Sequence, residues 1–249
     1  MALVHSFEKN GNFLFKHRGQ IPVVLFALAI PVVYLTDYQF FDSKPNLSLT
    51  LLIICSLVSL LGQVIRGIAI GTSAKNTSGR NTDKQIADAL NTTGIYSTVR
   101  HPLYLGNYFM WIGIVMFTFN IYFVVIVSLL FWIYYERIMF AEERFLEGKF
   151  GASYVDWSMK VPPFWPSSKN YVKNHIPLSV KTVFRREYSG ITATIIGFVF
   201  VDFLKNSFTA GTPVWSENNT IVLAVALAIT LVLRTLKHST KVLDESDRT

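Results

Sequence analysis

The sequence predicts an all-α polytopic membrane protein of about six transmembrane helices, with a central hairpin made by the third and fourth and with cytoplasmic termini. Three observations predict it. Of 249 residues, 51% are apolar and 16% charged, against roughly 25% charged in a soluble domain, and the mean hydropathy is +0.37. The apolar residues come in blocks bounded by basic segments, which favours one membrane domain over two soluble cores. The 23 Lys and Arg, set against 16 Asp and Glu, concentrate between those blocks. Disorder and collagen are excluded.

Taken in order, residues 21–36 form the first apolar block, which runs into the aromatic and acidic DYQFF rather than into small residues. That pattern predicts a retained helix, not a cleaved signal peptide. Residues 47–65 form the second block, and each approaches or meets the ~20 residues needed to cross ~30 Å of hydrocarbon. The stretch GTSAKNTSGRNTDKQ, residues 71–85, reads as a polar loop. Residues 102–135 are 34 uncharged positions, too many for one crossing, and Asn120 offers the turn of a helical hairpin. Residues 188–201 and 218–233 are shorter, with Asp202, Lys205 and Arg234 at their flanks able to reach the interface. The chain divides into an N-terminal segment and first helix (1–46), a core (47–166) and a C-terminal extension with two helices (167–249).

With six crossings, one face carries residues 1–20, 66–101, 137–187 and 234–249, which hold 21 of the 23 Lys and Arg. The opposite face holds only Lys44 and Lys205, so the positive-inside rule puts both termini in the cytoplasm. The membrane is the plasma or inner membrane, or the endoplasmic reticulum, depending on the organism. Topology thus explains the basic character, and the Lys and Arg form no helix-long stripe that would suit nucleic acid. The single Cys55 allows no intrachain disulfide. His5, His17, His175 and His238 lack metal-ligand spacing, so no metal is implied.

The chemistry concentrates in residues 92–108, TTGIYSTVRHPLYLGNY. Arg100 and His101 stand at the start of a spanning helix, with Pro102 in the first helical position that it favours. Unpaired N–H groups and the positive dipole end make such a terminus a site for a carboxylate or phosphate. Gly106 would let a ligand or a neighbouring helix approach closely, and Tyr104 and Tyr108 share one face. The plain alternative is that Arg100 and His101 only anchor a helix end in the headgroups.

The second arm of the hairpin ends in Glu142 and Glu143. His101 lies 19 residues before Asn120 and Glu142 lies 22 after it, so two helical arms bring them within ~5 Å in depth. A cleft with Arg and His on one wall and carboxylates on the other suits a zwitterion. An Arg100–glutamate salt bridge would instead lock the hairpin without a ligand. The aromatic, proline-rich segment 150–166 is a lid or a belt of interfacial anchors, and sequence alone favours anchors. Arg66, near Gln63, points inward as a ligand or snorkels to lipid phosphates, and snorkelling is favoured. Asp202 and Lys205, three apart, read as a local ion pair.

The ordered set Gly94-x-Tyr96, Arg100-His101-Pro102-x-Tyr104-x-Gly106, Glu142-Glu143, Phe150-Gly151-x-x-Tyr154 and Val161-Pro162 resembles the integral-membrane methyltransferases. These include the isoprenylcysteine carboxyl methyltransferases and the phospholipid N-methyltransferases. The resemblance covers residues 63–166. It implies an S-adenosylmethionine site on the cytoplasmic side, with cofactor contacts from Gly94, Tyr96, His101, Pro102, Tyr104, Gly106, Asn107, Glu142 and Glu143. It implies catalytic roles for Arg100 and Glu143, and a lipid-like or small hydrophobic acceptor that offers a carboxylate, amine or thiol and enters between helices. Pro163 stands where relatives often have arginine, Trp157 where tyrosine is common, and the helices after Pro166 are additional to the shared core.

Two other functional classes compete. A sterol-type membrane reductase would bind NADPH, whose 2′-phosphate needs basic residues, and Lys75, Arg80 and Lys84 are weak candidates. A channel or scaffold predicts polar residues through the helix centres, and the first, third and fourth helices show almost none.

Overall fold

The computed structural model describes residues 2–75, 77 and 85–245, and for residues 21 and 22 the backbone alone. Of the basic residues weighed for an NADPH phosphate, Arg80 and Lys84 lie outside the described residues, and Lys75 is exposed. Among the described residues there is no strand, so the all-helical class holds.

Helix α1 spans Leu3–His17, α2 Ile21–Leu35, α3 Gln39–Asp42 and α4 Pro45–Gly71. A 3-10 turn over Gly94–Ser97 precedes α5, Pro102–Met116, and α6, Ile121–Phe150. Helix α7 covers Ala152–Ser158, α8 Val180–Ala210 and α9 Glu217–Ser239. Four of these, α4, α6, α8 and α9, are long and apolar enough to cross a membrane. The blocks expected to supply two further spans give shorter helices. Helix α2, which carries Pro31 in its interior, and α5 each end after 15 residues, ~22 Å of rise.

The hairpin turns where the sequence places it. Asn120 caps α6, its side-chain oxygen accepting from the Phe123 N–H at 3.0 Å. Phe119 sits at φ +55°, a left-handed conformation that reverses the chain. Lys205 lies over the Phe119 and Phe117 rings at 3.6 and 4.2 Å, while Asp202 accepts from Asn206 and Asn219. The expected Asp202–Lys205 pair is thus replaced by separate partners: the cation sits over aromatic faces and the carboxylate takes amide donors.

Helices α4 and α5 form the tightest contact, because glycine lets their backbones meet. A Cβ on Gly62 would come within 2.5 Å of the Gly106 carbonyl oxygen, and one on Gly106 within 2.5 Å of Arg66 Cγ. At the end of this seam the buried cluster of Val99, Tyr104, Leu105, Tyr135, Ile138 and Phe164 joins α5, α6 and the segment after α7. The sequence reading gave no helix to residues 3–17. There α1 packs on α6, with Gly11 against the Arg137 carbonyl and Phe7 against Phe140. At 30 residues, ~45 Å, α6 outruns a ~30 Å hydrocarbon layer, and its last turns carry the glutamates beyond it.

Candidate functional site

The start of α5 is fixed by backbone pairing with the segment after α7. Gly94, at φ +60°, donates its N–H to Val172 O at 2.8 Å, and a Cβ there would meet the Asn174 side chain at 2.8 Å. Ser97 Oγ accepts from Val172 N at 2.9 Å, and Ser167 N donates to Thr98 O at 2.9 Å. The N–H groups of Arg100 and His101 donate to the carbonyls of Pro162 and Pro163 at 2.9 and 3.2 Å. This corrects the expectation of an open anion site at that terminus. Of its donors, the His101 N–H is used by the Pro163 carbonyl, the Tyr104 N–H turns to the His101 carbonyl, and Pro102 has none.

The same strap settles the part played by residues 150–166. Tyr154, Val161 and Phe164 are buried, and Trp157 Nε1 donates to Tyr96 O at 3.2 Å. The segment is therefore a wall of the site, and Val155, Met159 and Trp165 are the large apolar side chains it leaves exposed. Sequence favoured a belt of anchors because alternating aromatics and prolines look alike in both settings.

Glu143 bridges the two cations at the head of α5. Its carboxylate accepts from Arg100 Nη1 at 3.2 Å and faces His101 Nε2 at 2.9 Å, and Glu142 lies 3.4 Å from His101 Nδ1. Both ring nitrogens thus face carboxylates, an arrangement that both satisfy only in the protonated ring. Burial lowers the His101 pKa, but hydrogen bonds to and charges on Glu142 and Glu143 outweigh it and hold the group above its usual value. The ring stacks on Tyr104, which in turn meets Tyr135 at 4.9 Å. The Arg100–glutamate bridge weighed from sequence is present, and it shares its carboxylate with His101.

Beside this cluster lies a cavity of about 650 Å³, within the ~300–1,000 Å³ typical of small-molecule sites. Seven of the residues singled out from sequence are on its wall: Tyr96, Arg100, His101, Pro102, Tyr104, Asn107 and Glu142. Gly94, Gly106 and Glu143 are not; the two glycines serve close packing and Glu143 holds the cations from behind. Burial pushes the Tyr96 phenol up to about 12, keeping it neutral. Lys75 is not on the wall either.

Sequence reasoning missed several wall residues. Phe15 and Arg18 come from the end of α1 and residues 85–87 and 89–91 from the end of the polar loop and the stretch after it, while Tyr154 and Trp157, named from sequence without a cofactor contact, come from α7. Arg66, favoured as a snorkelling residue, instead points inward and lines the cavity. Its Nε and Nη2 donate to Glu187 at 2.7 Å each, and its Nη1 donates to Asn107 Oδ1 at 2.6 Å. The partner lies 121 positions away, so no local pattern announces it.

The arrangement can take a ligand with both charges and flat apolar parts. Cationic and anionic side chains and the rings of Tyr96, Tyr104 and Trp157 share one wall. A second, largely apolar groove of about 540 Å³ opens between α1, α2 and α6, bordered by Phe13, Leu14, Leu25, Leu28 and Tyr135. Tyr135 links the two spaces, its hydroxyl accepting from Asn107 Nδ2 at 3.0 Å.

Residues 50–153 match the family model described as phospholipid methyltransferase. Among curated proteins, the protein-S-isoprenylcysteine O-methyltransferase of Saccharomyces cerevisiae is 32% identical over 126 residues, 50% of this chain and 52% of the relative. The enzyme of the same name from Schizosaccharomyces pombe is 36% identical over 104 residues, 41% of this chain and 44% of that one. That of Tribolium castaneum is 26% identical over 162 residues, 64% of this chain and 56% of the relative. The chain spans about half the length of these relatives. No solved structure gives a significant match.

Proposed function

Through residues 50–153 this chain belongs to the integral-membrane methyltransferases, and on that premise we propose that it transfers a methyl group from S-adenosylmethionine to a lipid-like or small hydrophobic acceptor. The observation that carries the proposal is the cavity where the Arg100–His101–Glu143 cluster, Glu142 and an aromatic wall meet beside an apolar groove.

The residues present fit the methyl donor. A zwitterionic amino-acid end finds arginine donors and the Glu142 carboxylate, whose side chain is 32% exposed. A flat nucleoside and a sulfonium suit the faces of Tyr96, Tyr104 and Trp157. The donor, when bound, supplies an electrophilic methyl group on positively charged sulfur. The chain's own contribution is alignment and exclusion of water. Asn107 orients the Tyr135 hydroxyl, α7 and the strap close one side, and α1 closes another. Glu143 serves by holding Arg100 and His101, and Gly94 and Gly106 by shaping the backbone around the site.

The apolar groove beside Tyr135 suits the hydrocarbon part of the acceptor, which reaches it sideways from the bilayer. The names of the relatives favour an isoprenylated cysteine carboxylate on a protein, and the groove's apolar border is compatible with such a chain. The uneven distribution of 21 of 23 Lys and Arg supports six crossings, with α2 and α5 tilted or recessed, and cytoplasmic termini.

Calorimetric titration of the detergent-purified protein with S-adenosylhomocysteine, with NADPH in parallel, tests the reading. Binding of the nucleoside thioether alone is expected. Binding of NADPH alone would move the chain to the reductases, and silence towards both would leave the methyltransferase reading without a donor.

A further inference from the structure

Helix α8 lies outside residues 50–153 and puts no side chain on the cavity wall, yet it reaches the cavity through Arg66, which is on that wall. Its first turns are drawn onto α4 by small residues. Ser179 N donates to Gly71 O at 2.9 Å, and Cβ atoms on Gly71 and Gly67 would meet Val183 at 2.9 and 3.5 Å. One turn further on, Glu187 is 1% exposed and receives the guanidinium of Arg66 through two hydrogen bonds of 2.7 Å.

Arg66 has five N–H bonds and no acceptor. Two go to Glu187 and one to Asn107, which leaves one N–H on each of Nη1 and Nη2. Arg66, Arg100 and His101 are all on the cavity wall, but Arg100 and His101 are already engaged by Glu143 and Glu142, the two carboxylates beside them. The Glu187 charge cancels that of Arg66, so what the pair offers is fixed direction more than net attraction. Two directed N–H groups match a two-oxygen acceptor, and in the methyl donor that group is the carboxylate.

We propose that Glu187 is a positioning residue that holds Arg66 in the cavity as hydrogen-bond donor to the carboxylate of the methyl donor. The inference rests on the methyltransferase reading above. It gives the C-terminal extension a role in the site, because α8 supplies the carboxylate without which Arg66, on a long flexible stem, turns to the interface.

The test compares S-adenosylmethionine with its decarboxylated analogue, by calorimetry on the full chain in detergent. The wild type is expected to prefer the intact donor about tenfold, as for one charge-assisted interaction. Arg66→Met and Glu187→Ala should each erase that preference while leaving affinity for the decarboxylated analogue within about twofold, and Glu187→Asp should restore part of it. Because Glu187→Ala leaves a buried cation without its partner, the paired replacement of Arg66 and Glu187 by Met, expected to show no preference, serves if the single variant does not fold. Equal weakening towards both compounds would make Glu187 merely structural and overturn the proposal, as would a preference that survives in the variants or is missing from the wild type. A wild type that binds neither compound would overturn the methyltransferase reading, and this inference with it.

Discussion

His101 is flanked on both ring nitrogens by carboxylates, and its charge is therefore part of the structure. Its folded pKa is raised, so protonation stabilises the fold. The contribution is complete below the unfolded value of about 6.5 and is lost as pH rises through the higher folded one. The thermal midpoint of the purified protein should accordingly fall across that window, and His101→Gln should flatten the slope; an unchanged slope in the variant would assign the dependence elsewhere. Glu143→Gln removes the charge shared by Arg100 and His101. It is expected to weaken S-adenosylhomocysteine binding about tenfold, the scale of one charge-assisted hydrogen bond, while far-UV circular dichroism stays helical. At this scale the sequence was informative about which residues assemble, since Arg100, His101, Glu142 and Glu143 do meet. It was poor on what each faces, because Arg66 and Glu143 differ from their sequence reading only in the direction of a side chain. That direction is decided by partners such as Glu187 that are distant along the chain.

Among the elements, the α4–α5 seam depends on the absence of side chains. Gly106→Val would drive branched carbons into Arg66 Cγ and the Gly62 carbonyl, which now stand 2.5 and 2.8 Å from the Cβ position. A loss of ~1–3 kcal/mol, typical of overpacking, should appear as a lower unfolding midpoint in detergent, together with weaker ligand binding as Arg66 shifts. An exposed control such as Gly148→Ala, where a Cβ meets nothing within 4 Å, should change neither. Elements with long apolar periods were easy to read, and the hairpin turn at Asn120 was visible from its polar amide alone. Helix α1 was not, because a short amphipathic stretch with two lysines looks the same as a juxtamembrane tail until it finds Arg137 and Phe140 to pack on. Backbone pairing of residues 94–101 with 162–172 was equally hidden, since it uses carbonyls and N–H groups that every sequence has.

For the molecule as a whole, two spaces of different character lie side by side, and they should be separable by mutation. Leu28→Trp, at the border of the apolar groove, is expected to raise the apparent KM for a hydrophobic acceptor severalfold while S-adenosylhomocysteine affinity stays the same. Loss of donor binding in that variant would show the groove and the polar cavity to be one site. Orientation can be read in a background that lacks the single Cys55. Lys9→Cys and Lys44→Cys should react with membrane-impermeant reagents from opposite sides, the former from the cytoplasmic one, and labelling from the same side would refute the six-crossing arrangement.

The separation of Arg66 from Glu187 also has a meaning in time. Helix α4 emerges during synthesis 121 residues before its counter-ion, an interval of roughly 6–24 s at ~5–20 residues per second. For that period the arginine belongs to an unfinished bundle, free to reach outward to the headgroups, as its position in the sequence alone suggests. Arrival of α8 then draws it inward. A nascent chain that ends before Val180 should leave Arg66 open to arginine-modifying reagents, and release of the full chain should protect it, so that completion of the pocket reports completion of the protein.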